Sequence, residues 1–104
     1  MEYCTVRDTI ELLHIDERFI TKMEREEIIS VRYDEKKEEK LLSESDVERL
    51  RIAKILMEDM GINLHGVEVI LRMRENMFQM RRQFDEILKD LSEEIRRVMK
   101  YQNK

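Results

Sequence analysis

Apolar positions change period along this chain, and the changes divide it into elements. Val6, Ile10 and Leu13 recur at helical spacing behind "TVRD", where Thr5 can accept from the first turn and Asp8 can reach back, a capping box that predicts a helix over about 6–13. After the break "HI", Asp16 can cap a second short helix, "ERFITKMERE", marked on one side by Phe19, Ile20 and Met23. Two short helices across a tight corner predict a helix-turn-helix. "IISVRY" (Ile28 to Tyr33) is β-branched and alternating, "DEKKEEK" is wholly polar, and "LL" is apolar again, which predicts a small two-stranded hairpin with a charged, solvated tip. "SESD" at Ser43 is a second capping box, opening a helix that carries Val47, Leu50, Ala53, Leu56, Met57 and Met60.

The only two glycines follow within six residues of each other, in "MGINLHGVEVIL". Gly61 stands where a helix wants a left-handed C-terminal residue, and Asn63 is a good N-cap. Ile62 and Val67 then hold the positions of a hydrophobic staple across that cap. "GIN" therefore predicts a corner, with Gly66 in the next helix's first turn giving up about 1 kcal/mol of helix propensity so that a neighbouring helix can come close. Beyond the corner Ile70, Met77, Phe84, Leu91 and Val98 repeat at seven residues, with Met73, Met80 and Ile87 between them. Glu94 interrupts this seam, and Leu88, Ile95 and Met99 shift the apolar stripe as a straight helix would. A seam of about 43 Å, at 1.5 Å per residue, is too long for the small head to cover, so the sequence predicts a second copy of the chain against it: a homodimer held by the C-terminal helix. The expected division is a head over 1–72 and a coiled-coil helix over 73–104.

Composition agrees with a mostly α fold. Charged residues are 42% of the 104, proline is absent, and Leu, Ile, Met, Glu, Lys and Arg dominate. Lys and Arg number 11 against 17 Asp and Glu over residues 1–60, net −6, and nine against seven over 61–104, net +2. An acidic head repels duplex DNA unless its cations gather on one face. No apolar run approaches the roughly 20 residues of a membrane span and "MEYCTVRDTIE" lacks signal-peptide character, so a cytoplasmic protein without membrane attachment is expected. Cys4, alone, reads as a small buried hydrophobe. With His14 and His65 the only histidines, neither a metal site nor a cofactor is expected. No glycine-rich phosphate loop or nucleophile motif is present, and no catalytic residue or enzymatic activity is expected.

Helix, turn, helix, wing, helix pair and coil, in this order, resemble the MerR-type winged helix-turn-helix proteins over about 3–73. "LSESDVERLRIAKILMEDMGINLHGVEVIL" carries the resemblance best, and its "GINLHGVEVIL" is similar to the "GINLxGV" corner of the heat-shock repressor (HspR-type) and chaperone-modulator (CbpM-type) branches. In MerR-type regulators the second helix typically reads "TLRYYEREGLI", with an arginine and tyrosine on the phosphate backbone, and the wing adds Arg-x-Tyr. Here the aligned "FITKMEREEII" has Thr21 at the arginine, Lys22 and Met23 at the aromatic pair and Glu27 at the glycine, while Lys40 and Leu42 replace the wing's arginine and tyrosine.

Two functions follow from that resemblance. As a CbpM-type modulator, the chain would bind the J-domain of a DnaJ-like co-chaperone and limit that domain's access to its chaperone partner. The basic helix of a J-domain would meet Glu17, Glu24, Glu26, Glu27, Asp34 and Glu35. As a DNA-binding transcriptional regulator of the MerR or HspR kind, the homodimer would set two second helices in successive major grooves, with Arg18, Lys22, Arg25 and the wing lysines Lys36, Lys37 and Lys40 on phosphates. The missing arginine at Thr21 and the acidic head favour the first.

Overall fold

The computed structural model describes residues 2–102. Its elements run β1 (Tyr3–Thr5), α1 (Val6–Leu13), α2 (Glu17–Arg25), β2 (Arg32–Asp34), β3 (Glu39–Ser43), α3 (Glu44–Lys54), a π-helical turn (Ile55–Asp59) and α4 (Leu64–Gln102). The chain is mostly helical with one antiparallel sheet of order β1-β3-β2. It separates into two units, 1–68 and 69–104.

In the first unit the caps form as their residue types require. Thr5 Oγ1 accepts from the Asp8 amide at 3.0 Å, Asp16 Oδ1 from Phe19 at 2.8 Å and Ser43 Oγ from Asp46 at 3.1 Å. The Ser43 hydroxyl also donates to Asp46 Oδ2 at 2.9 Å, and Arg49 holds the other oxygen at 3.0 Å, so the buried Asp46 carboxylate is fully engaged. Ile20, Met23, Ile29, Leu42, Leu50, Ala53, Leu56 and Val67 form the core under the sheet and helices.

The wing differs from its sequence expectation at both edges. "IISVRY" is not a strand until Arg32, because α2 closes on a left-handed Glu27 (φ 59°) in a Schellman arrangement: the Ile28 amide turns back to Met23 O at 2.9 Å and Glu27 to Glu24 O at 3.0 Å. The next residue, Ile29, is buried as a core plug, so its β-branching serves packing rather than a ladder. The hairpin pairs Asp34 with Glu39 around a four-residue loop in which Asp34 Oδ1 accepts from the Lys36 amide at 3.1 Å. Tyr3–Thr5 adds a third strand, pairing Tyr3 with Ser43, Cys4 with Leu42 and Thr5 with Leu41. Cys4, expected to be buried, is exposed, since β1 is a short edge strand.

The helix opened by Ser43 also ends differently. Its ladder widens to π geometry at Ile55, and Gly61 (φ 66°) takes the left-handed position as expected. The Ile62 amide then reaches Leu56 O at 2.9 Å, one residue further back than an α-helical Schellman bond, as the wider turn demands. Asn63 Oδ1 caps α4 by accepting from the Gly66 amide at 2.9 Å. A Cβ at Gly66 would meet Ile62 Cγ2 at 2.7 Å, so the space this glycine leaves is filled by the corner's own isoleucine and not by a neighbouring helix.

α4 is 39 residues long, about 58 Å at 1.5 Å per residue. In the second unit every side chain from Arg72 to Tyr101 is exposed except the half-buried Arg74. The Arg74 guanidinium lies over the Phe78 ring at 4.6 Å. No helix among the described residues is long and apolar enough to cross a membrane.

Candidate functional site

A shallow depression runs along the outer side of α2, lined by Glu17, Arg18, Thr21, Lys22, Arg25 and Glu26. This face exists because Ile20 and Met23 turn the opposite side of α2 into the core. It interleaves the two sequence-derived sets: Glu17 and Glu26 from the acidic partner set, Arg18, Lys22 and Arg25 from the basic phosphate set. On this face the members of the two sets are not separated. Glu24 and Glu27 are exposed on the same segment but do not line the depression.

The positions at which the chain departs from the MerR-type pattern have physical roles. Thr21 turns its hydroxyl onto its own helix, donating to Glu17 O at 3.0 Å, so it projects no charge where an arginine would. Met23 and Leu42 have no exposed surface at all and belong to the core; neither can replace an exposed tyrosine. Glu27 holds the left-handed conformation that the family's glycine would supply, which preserves the turn but puts a carboxylate beside the helix end.

In the wing Glu35, Lys36, Lys37 and Lys40 are exposed, and Asp34 is half-buried with one oxygen committed to the hairpin turn. Arg32, which sequence reading passed over, lies 5.4 Å from the Tyr3 ring centroid, spanning the outer strands across Leu41. Its signal was invisible because Tyr3 was not recognised as a strand residue. Lys54 was missed because its partners lie far away along the chain: its ammonium donates to the carbonyls of Leu13 and His14, capping the α1 C-terminus from 40 residues away. Left-handed His14 (φ 56°) closes that helix, with the Ile15 amide reaching Ile10 O at 3.2 Å. A second depression lies between this corner and the π turn, where Ile15 and Phe19 are rimmed by His14, Asp16, Arg18, Lys22 and Glu58.

Among the described residues no group of three His, Cys, Asp or Glu is placed to hold a metal ion. On α4, Met73, Met77, Met80, Phe84, Ile87, Leu91 and Val98 are exposed apolar side chains, and Ile70 is half-buried. Together these positions make the one long apolar seam of the second unit's described residues.

Comparison with curated proteins and with solved structures gives no match. The family model described as MerR HTH family regulatory protein matches residues 4–98, spanning the head, the corner and most of α4, and the chain belongs to that family.

Proposed function

We propose that this chain is a homodimeric regulator of the CbpM kind, whose acidic winged head binds a J-domain of a DnaJ-like co-chaperone in preference to duplex DNA. One observation carries the choice: the surface that a MerR-type head would turn to a duplex is not basic. From Asp16 to Lys40, the second helix and wing hold seven Lys and Arg against nine Asp and Glu, net −2. Duplex affinity rests largely on neutralised phosphates, and here each cation of α2 has carboxylates beside it on the same helix. Thr21, Met23 and Leu42 supply none of the family's phosphate contacts. The same interleaved charge suits the basic helix of a J-domain, where Glu24, Glu26 and Glu27 form the densest exposed acidic run. Dimerisation through the α4 seam is supported by its length and by its exposure from Met73 to Val98 among the described residues of the second unit.

A DNA-binding regulator is the second reading, favoured by Arg18, Lys22 and Arg25 lining one depression of the helix-turn-helix's second helix. Isothermal titration of the J-domain with the wild type and with a Glu24→Gln, Glu26→Gln, Glu27→Gln variant tests the first reading. The proposal expects the variant to bind at least tenfold more weakly. Equal binding by both proteins would remove the acidic run from the interface.

A further inference from the structure

The seam of α4 is chemically divided. Between Met73 and Met80 its three successive positions are all methionine, whereas from Phe84 onward its apolar positions are Phe, Ile, Leu and Val, interrupted by Glu94. Met73, Met77 and Met80 are 58%, 67% and 68% exposed in the single chain, while the core Met23 is wholly buried. Leucine would fit these positions at similar volume and pack with better-defined rotamers. What the thioether adds is flexibility and a sulfur open to two-electron oxidation.

We infer that these methionines form an oxidation-sensitive switch on dimerisation; the inference rests on the homodimer proposed above. Hydrogen peroxide supplies the oxygen: its O–O bond breaks, an S=O bond forms on the thioether, the sulfur is oxidised to the sulfoxide, the peroxide is reduced, and its other oxygen leaves as one molecule of water. Each sulfoxide replaces an apolar seam contact by a polar group that requires a hydrogen-bond partner, and a dimer buries six such sulfurs, three from each copy. Because the dimer covers them and the free chain exposes them, oxidation captures the monomer and holds it there by mass action. Methionine sulfoxide reductase with a thiol reductant reverses the step.

The test is sedimentation equilibrium of the full chain before and after hydrogen peroxide, with each sulfoxide located by peptide mass spectrometry. With residues 73, 77 and 80 oxidised and Met23 intact, the dimer Kd rises at least tenfold; reductase restores it. A Met73→Leu, Met77→Leu, Met80→Leu variant dimerises before treatment and keeps its Kd after it. Sulfoxides at all three positions with an unchanged Kd would overturn the switch, as would an equal loss in the leucine variant. If the untreated wild type sediments as a monomer at every concentration, the dimer itself is wrong and the switch falls with it.

Discussion

Adding a methyl group at Gly66 should have an effect whose sign depends on one other side chain. Gly66 is the third residue of α4, and alanine there gains helix propensity of up to about 1 kcal/mol. Against this, the new Cβ would lie 2.7 Å from Ile62 Cγ2, a distance carbon atoms do not tolerate. The methyl sits on a β-branched carbon, so it cannot swing aside without a χ1 change that disturbs the corner, and overpacking of this kind costs about 1–3 kcal/mol. Gly66→Ala should therefore destabilise the protein by about 1 kcal/mol. In an Ile62→Ala background the clash is gone, the nearest remaining atom is Asn63 Oδ1 at 3.4 Å, and the same substitution should stabilise by about 0.5 kcal/mol. Urea unfolding followed at 222 nm, with all four proteins at one concentration so that association contributes equally, gives a coupling of about 1.5 kcal/mol. Equal effects of Gly66→Ala in both backgrounds would refute the reasoning.

Three further outcomes follow from particular contacts. Lys54→Met leaves the Leu13 and His14 carbonyls without their cation and should lower stability by about 1–3 kcal/mol in the same urea assay, since hydrogen bonds from charged groups exceed neutral ones. Glu27→Gly supplies the residue that a left-handed helix terminus favours and should stabilise by roughly 0.5 kcal/mol after the glycine's extra chain entropy is counted; a loss would show that the carboxylate makes a needed contact. Phe84→Glu puts a charge at the centre of the α4 seam and should leave a folded head, by circular dichroism, that sediments as a monomer at micromolar concentration.

Local signals made most of the head legible. Thr5, Asp16, Ser43 and Asn63 were readable as caps because capping couples residues only three apart, and all four accept the expected amide. Gly61 was readable because only one residue type adopts its conformation without strain. What escaped depends on distant partners: β1 exists only through β3, nearly 40 residues on, and the Lys54 cap joins α3 to α1. The strand expected at Ile28 failed because a left-handed glutamate, which no propensity favours, absorbs that segment into the end of α2. For the site, the sequence already sets the acidic and basic residues against each other in one segment; that Glu17 and Glu26 line the same depression as Arg18, Lys22 and Arg25, while Glu24 and Glu27 do not, needed the folded helix.

The most direct test of the central claim titrates the purified wild-type protein in parallel with a J-domain from its own cell and with duplex DNA, each at about 50 and 200 mM salt. The expected result is micromolar or tighter J-domain binding, with duplex binding too weak to saturate at either salt. Submicromolar duplex binding that falls steeply between the two salts, as several neutralised phosphates require, would contradict it.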